Sequence, residues 1–193
     1  MLANLLVNGT IIKGLAPLLD GGGVVGGDQG QVNERVVTGS YAKSGNTLEF
    51  SDSVELGVGA GVSCNILPYV AGAINYTQMQ GLETISGEFT GCTMAIYNYA
   101  GTSRVCHVDT AKTSEGDAPS KGTWEKIKKQ SGFELADEVS TVGMLGRFLD
   151  SVDPDPSYAR LSVLCVATPV VGISCVYVVK EGQDYRVVGR VKT

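Results

Sequence analysis

Residues 92–109 of the chain, CTMAIYNYAGTSRVCHVD, give the clearest indication of its fold. Two β-like runs, CTMAIY and TSRVCHVD, flank the segment NYAG at 98–101, which is typical of a tight turn. A hairpin that turns at residues 99–100 places Cys92 directly opposite His107, with Cβ atoms about 4.5–5.5 Å apart. At that separation an imidazole nitrogen can hold a thiol as the thiolate, the form that attacks. Both side chains should then line a cleft.

His107 is the only histidine of the chain, so thiol chemistry with a histidine base can use no other. The same hairpin register turns Cys106 to the opposite face of the sheet, away from the imidazole. A structural interpretation also stands, because cysteine is a common buried apolar residue and a strand histidine is often merely hydrogen-bonded. The residues alone leave both interpretations open.

The segment Phe89-Thr90-Gly91-Cys92 resembles the Leu-Ser-Gly-Cys motif of the bacterial toxin glutamine deamidases. This group includes the catalytic domain of cytotoxic necrotizing factor and the Burkholderia lethal factor, with the chemoreceptor glutamine deamidases as distant relatives. His107-Val108-Asp109 is similar to the His-hydrophobic-Asp segment of the lethal factor. Ser86 stands where some members carry a threonine, six residues before the cysteine. The resemblance spans residues 83–110.

The resemblance implies a cysteine hydrolase in which Cys92 attacks the side-chain amide of a glutamine and His107 is the base. Ser86, Asp109 or a backbone carbonyl is expected to orient the imidazole, and Asp109 lies two residues beyond it on the same strand face. Backbone N–H groups at Gly91 and Cys92 are expected to stabilise the oxyanion. Gly91 has no Cβ, so a substrate carbonyl can approach the backbone there.

The substrate implied by the resemblance is a host protein, with Rho-family GTPases and translation factors as the first candidates. A toxin or effector of this kind is expected in the bacterial cytoplasm before export without a Sec-type signal, and in the host cytoplasm when it acts. If an amine replaces water, the same site becomes a transglutaminase. A papain-like thiol protease and a non-enzymatic β-rich binding module are the remaining alternatives.

The composition favours a turn-rich β protein without a cofactor. Glycine supplies 26 of 193 residues, close to twice its usual share of roughly 7%. The net charge is −5 and no basic stripe occurs, so we expect no nucleic-acid partner. Five cysteines without a Cys-x-x-Cys pair, and a single histidine, argue against a zinc site and indicate mostly reduced core cysteines in a reducing compartment. No apolar run approaches the ~20 residues of a transmembrane helix.

The hydrophobic pattern predicts one α+β domain over residues 1–193, a β-sandwich or large mixed sheet with helices packed on an outer face. Besides the hairpin, strands are predicted at 31–38, 47–50, 54–58, 65–70, 74–79, 160–168, 172–180 and 185–191. Helices are predicted at 123–130 and 134–149, the second from an apolar stripe at helical spacing. The glycine-rich segment 20–30 is expected to be a flexible loop, and 109–122 a mobile loop that shapes access to the site.

Overall fold

The computed structural model describes residues 1–20, 30–52, 61–110, 112–113 and 116–191, and most of its elements are strands. The strands, in chain order, are β1 Ile11–Lys13, β2 Val32–Glu34, β3 Val37–Ser44, β4 Thr47–Ser51, β5 Val62–Leu67, β6 Ile74–Gln78, β7 Thr84–Phe89, β8 Thr93–Tyr99, β9 Thr102–Val108, β10 Lys112–Thr113, β11 Gly116–Asp117, β12 Phe133–Ser140, β13 Leu161–Thr168, β14 Gly172–Glu181 and β15 Asp184–Arg190. The α-helices are α1 Ala16–Leu19, α2 Pro119–Ile127 and α3 Met144–Leu149, with short 3-10 helices at Leu2–Asn4 and Pro156–Arg160.

Eight strands form a closed barrel in the order β1-β15-β14-β13-β7-β5-β3-β4. The short strand β1 closes it, because it pairs antiparallel with β15 and parallel with β4. Apolar side chains fill the interior, among them Ile12, Leu164, Val178 and Tyr185. Closure leaves none of these eight strands with an unpaired edge in the barrel.

A second sheet, in the order β12-β8-β9-β6-β2, packs on one wall of the barrel. Strand β13 lies in that wall and is buried along its whole length. Leu164 and Val166 face the barrel interior, whereas Val163 and Cys165 face the layer between barrel and second sheet. Burial on both faces explains why β13 is a continuous apolar run rather than an alternating one.

The predicted α+β fold, with helices packed on an outer face of a sandwich or mixed sheet, is wrong, since the chain is mostly β and built around a closed barrel. The largest error is the helix predicted at 134–149. Strand β12 occupies its first half and pairs antiparallel with β8, and only the short α3 follows. Leu135 and Val142, two members of the supposed core stripe, are 45% and 61% exposed. Pairing with a neighbouring strand therefore overrides the helical spacing.

The other predicted elements agree with the structure to different degrees. The predictions at 160–168, 172–180 and 185–191 correspond to β13, β14 and β15. Helix α2 begins at Pro119, four residues earlier than predicted, so the loop after Asp109 is shorter than expected. Two predictions lie wholly or largely outside the described residues, the strand at 54–58 and the loop at 20–30, and a small part of the loop at 109–122 does as well.

The hairpin of β8 and β9 is present, but the predicted register is wrong. Tyr99 pairs with Thr102 and Met94 pairs with His107, so Cys92 does not face His107 directly. The two-residue turn is Ala100-Gly101, where φ is 50° and 79°. A two-residue hairpin turn of this type needs positive φ at both positions, and glycine at its second position meets that need better than a bulky tyrosine.

The cysteines divide into two groups. Cys64, Cys92 and Cys106 are free and buried, as expected of reduced core cysteines. Cys165 and Cys175 are the exceptions, because they lie directly opposite each other on β13 and β14 and form a disulfide. Across the described part of the chain, no helix has the length and apolar character needed to cross a membrane.

Candidate active site between the barrel and the second sheet

His107 lies on β9 and points into the layer between the second sheet and the barrel. Its ring stacks on Phe89 with centroids 4.0 Å apart, and the ring of Tyr69 lies 5.2 Å away at a tilt. The side chain is only 2% exposed. Burial lowers the pKa of His107 to about 3, although the carboxylate of Asp109 acts in the opposite direction. The imidazole is therefore neutral at physiological pH.

Ser86 on the barrel strand β7 fixes the orientation of this imidazole. Its Oγ lies 2.9 Å from His107 Nδ1 and donates a hydrogen bond of 2.7 Å to the carbonyl of Leu67. A hydroxyl has one hydrogen, and here it is directed to the carbonyl. Ser86 Oγ must then accept from Nδ1–H, so Nε2 carries the lone pair.

His107 Nε2 is buried and has no hydrogen-bond partner among the described residues. A buried polar atom without a partner costs free energy, and such atoms are uncommon in folded proteins. The neutral tautomer fixed by Ser86 makes this nitrogen an acceptor. It is the atom that a general base would use.

Cys92 lies just before β8 and is on the same sheet face as His107. It is not directly opposite His107, because Met94 occupies that position. Its Sγ donates to Asp109 Oδ1 at 3.6 Å, and its side chain is 4% exposed. Burial raises the pKa of the Cys92 thiol to about 12, the Asp109 carboxylate adds to the effect, and the backbone N–H of Thr110 opposes it. The thiol is protonated in this arrangement.

Asp109 links the thiol to the rest of the cluster. Its Oδ2 accepts from the backbone N–H of Gly72 at 2.6 Å and from the Tyr69 hydroxyl at 3.2 Å. Asp109 therefore contacts the thiol of Cys92, whereas Ser86 contacts Nδ1 of the histidine. Both residues were candidates for orienting His107, and the structure places Ser86 on its ring.

Around Gly91 the backbone borders open space. A Cβ built there meets no atom within 4 Å. The carbonyl of Gly91 accepts from the Thr110 hydroxyl, and the carbonyl of Cys92 accepts from the N–H and hydroxyl of Thr141, each at 2.9 Å. These contacts hold the segment that carries the expected oxyanion donors.

Sequence reasoning missed two members of the cluster, Tyr69 and Asn75. Asn75 lies opposite His107 on the neighbouring strand β6, and its Nδ2 donates to the carbonyl of Pro68 at 2.8 Å. Its Oδ1 is buried without a hydrogen-bond partner among the described residues. Strand β6 reads INYTQ and carries several polar residues, so Asn75 did not stand out in the sequence, and Tyr69 offered no signal either.

Two surface clefts reach the neighbourhood of this cluster, and Thr90 lies on the rim of both. The first has a volume of about 730 Å³ and includes Gly91, Thr93, Trp124 and other residues of α2 and β12. The second has a volume of about 410 Å³ and includes Tyr69 and Gly87. Cys92 and His107 are buried beneath the surface, so the expectation that both side chains line an open cleft is wrong.

No protein-family model matches the chain, and no curated protein matches it in sequence. Within the described ranges, no group of three or more His, Cys, Asp or Glu side chains is placed to hold a metal ion.

Proposed function

We propose that the chain is a cysteine-dependent hydrolase that deamidates a glutamine side chain of a target protein. The observation that carries this proposal is the buried, unpartnered Nε2 of His107, which Ser86 holds in the acceptor tautomer on the same sheet face as Cys92. The motif resemblance at 89–92 and 107–109 supports the same chemistry. Rho-family GTPases and translation factors remain the first candidate substrates.

In the proposed first half-reaction, the Cys92 thiol gives up its hydrogen bond to Asp109 and forms a hydrogen bond to Nε2 of His107. Nε2 takes the thiol proton as the sulfur attacks the carboxamide carbon, so no stable thiolate is required beforehand. The transfer has to be concerted with attack, because burial keeps the pKa of the thiol high and that of the imidazole low and so disfavours a separate thiolate–imidazolium pair. Backbone N–H groups at Gly91 and Cys92 are the proposed oxyanion donors, and each such donor contributes roughly 3–4 kcal/mol of stabilisation.

To complete this half-reaction, the imidazolium of His107 gives its proton to the departing nitrogen and ammonia leaves. A thioester then joins Cys92 to the substrate side chain. Water attacks this carbonyl, Nε2 takes the proton of the water, and the C–S bond breaks to release glutamate and the Cys92 thiol. An amine in place of water gives transglutamination at the same atoms.

A second candidate function, a non-enzymatic β-rich binding module, is favoured by the burial of Cys92. The thiol is only 4% exposed and donates to a carboxylate, which is the surrounding of an inert structural cysteine. Under this alternative Cys92 and His107 are packing residues, and their replacement changes stability alone.

Intact-mass analysis of candidate target proteins separates the two functions. Deamidation adds about 1 Da per glutamine, and we expect this change with the wild-type protein and not with Cys92→Ser. Cys106→Ser is the matched control, because Cys106 is also buried and free but faces away from His107 on β9. A mass change that survives Cys92→Ser would rule out the thiol mechanism.

A further inference from the structure

The two clefts at Thr90 lie on opposite faces of the second sheet. Side chains alternate along β8, so Thr93 faces the outer side with Trp124 of α2, whereas Cys92 and Met94 face the barrel. The first, larger cleft includes Thr93 and Trp124. It therefore lies on the face of the second sheet opposite to the sulfur of Cys92. Its size alone does not make it the substrate site.

The second cleft opens on the same side of the sheet as the sulfur. It is formed by the end of the barrel, with Pro17, Asp20, Glu88 and Lys180 on its walls and Tyr69 toward the interior. Tyr69 contacts both parts of the buried cluster, since its hydroxyl donates to Asp109 and its ring lies beside His107. The larger cleft is lined by Gly91 and Thr110, which adjoin Cys92 and Asp109 in the chain, but none of its lining residues has a hydrogen bond or ring contact with His107 in the described structure.

We propose that this second cleft is the substrate-binding site, that it takes a glutamine-bearing segment of a protein, and that Tyr69 is the side chain that closes it over Cys92. The inference rests on the proposed function for its chemistry and on the cleft geometry for its location. Displacement of the Tyr69 ring opens a path from the cleft to Asp109 and Cys92. It also removes one of the donors that hold the Asp109 carboxylate on the thiol.

The lining of the cleft carries the hydrogen-bonding groups that a polypeptide segment requires. Lys180 and Gln183 supply donors, while Asp20 and Glu88 supply acceptors, and a protein backbone presents both kinds of group. Glu88 is itself held by Lys180 at 2.6 Å and by the hydroxyl of Tyr185, so its position is fixed. The volume of about 410 Å³ lies in the usual range for ligand sites.

Two rim variants test the location of the site. Gln183 lies on an exposed turn beside the second cleft, and Val142 is 61% exposed beside the first. We expect Gln183→Trp to slow iodoacetamide alkylation of Cys92 and deamidation of a protein substrate about tenfold, because the indole narrows the path. Val142→Trp is the matched control and should change both rates by less than about twofold. The reverse pattern would place the site in the larger cleft and overturn the proposal.

Two variants of Tyr69 test its closing role. Tyr69→Ala should raise the alkylation rate of Cys92 about tenfold, whereas Tyr69→Phe keeps the ring and should stay within about threefold of wild type. Equal rates in wild type and Tyr69→Ala, in a variant whose melting curve shows it folded, would remove the closing role. Equal turnover of free glutamine and a glutamine-bearing protein would overturn the assigned ligand class.

The alkylation and deamidation readouts keep the two proposals apart. If Gln183→Trp and Tyr69→Ala change alkylation as expected while no candidate protein is deamidated, the access route stands and the deamidase function fails. If deamidation occurs but both rim variants behave alike, the function stands and the assigned cleft is wrong.

Discussion

At the scale of single residues, His107 is neutral because its ring is enclosed by Phe89, Tyr69 and the barrel wall. Enclosure removes water from the imidazole and disfavours its charged form more than the nearby Asp109 carboxylate favours it. The same enclosure leaves Nε2 without a partner. The neutral state of the imidazole and the unsatisfied Nε2 therefore have one physical origin.

This enclosure predicts a dependence of stability on pH. The pKa of His107 is about 3 in the folded protein and about 6.5 when unfolded, so between these values the unfolded chain binds more protons. The contribution of His107 to stability is complete above pH 6.5 and is lost as the pH falls toward 3, with a slope of up to about 1.4 kcal/mol per pH unit. Urea unfolding of wild type and His107→Gln across this range measures the slope, which should be smaller in the variant. Equal slopes would show that His107 titrates normally.

Ser86 gives a second prediction, on positioning. Ser86→Ala removes the acceptor for Nδ1–H, so we expect kcat to fall about 10–100-fold with KM nearly unchanged, because the tautomer and ring orientation are lost. Ser86→Thr retains the hydroxyl and should recover most of kcat. Steady-state kinetics on a deamidated protein substrate separates the two constants. A rise in KM with unchanged kcat would assign Ser86 to substrate binding instead.

Single residues also show what the sequence can and cannot reveal about the site. The motif resemblance singled out Cys92, His107, Ser86 and Asp109, and all four lie in one buried cluster. The contact of Asp109 with the thiol could not be predicted, because it depends on the hairpin register. The sequence pattern allows the turn to be placed one residue earlier than the structure has it. Tyr69 reaches the cluster only through the packing of the second sheet on the barrel.

At the scale of elements, the turn of the β8–β9 hairpin decides which residues face each other. Turning at Ala100-Gly101 instead of one residue earlier moves the partner of Cys92 from His107 to Asp109. Ala100 has φ of 50°, a left-handed conformation that disfavours most residues other than Gly, Asn and Asp. The register therefore rests on a turn whose first residue is not optimal.

This turn gives a prediction on stability. Ala100→Asn should raise the free energy of unfolding by about 0.5–1 kcal/mol, because Asn-Gly is the preferred pair for such a turn. For a chain of this length the gain corresponds to about 1–4 °C in Tm. Gly101→Ala is the opposing control and should lower stability, since alanine at φ of 79° is strained. Differential scanning calorimetry measures both, and a loss of stability in Ala100→Asn would contradict the assigned turn.

Strand β12 shows why one element was mispredicted. Its apolar residues recur at helical spacing, but Phe133, Leu135 and Val139 also fit a strand that contains the register shift seen between Leu135 and Asp137. A short pattern with a bulge fits both the helical period of about 3.6 residues and the strand period of about two. Pairing with β8 decides the outcome, and that long-range contact is invisible to a local pattern.

At the scale of the whole molecule, closure of the barrel depends on the three residues of β1. They pair with β15 near the end of the chain and with β4, so they join distant parts of the sequence. The C-terminal strands were predictable because their apolar runs are long. Closure was not, because a three-residue strand has no recognisable period and its partners are far away.

The closing strand supplies a prediction with an internal control. Ile12 points into the barrel core and is fully buried, whereas its neighbour Ile11 is half-buried. Ile12→Ala should lower the free energy of unfolding by about 2–5 kcal/mol through lost burial and a cavity, and Ile11→Ala by clearly less. Chemical denaturation of the two variants gives the comparison. Equal losses would mean that β1 does not close the barrel as described.

The central claim is that Cys92, with His107 as its base, hydrolyses a glutamine side chain. The most direct test is intact-mass analysis of a protein substrate treated in water enriched in oxygen-18. Hydrolysis through a thioester places one solvent oxygen in the product, so each modified glutamine should gain about 3 Da. The gain should be absent with Cys92→Ser and at least about 100-fold slower with His107→Gln. An undiminished rate in His107→Gln, or a product without the heavy oxygen, would contradict the account.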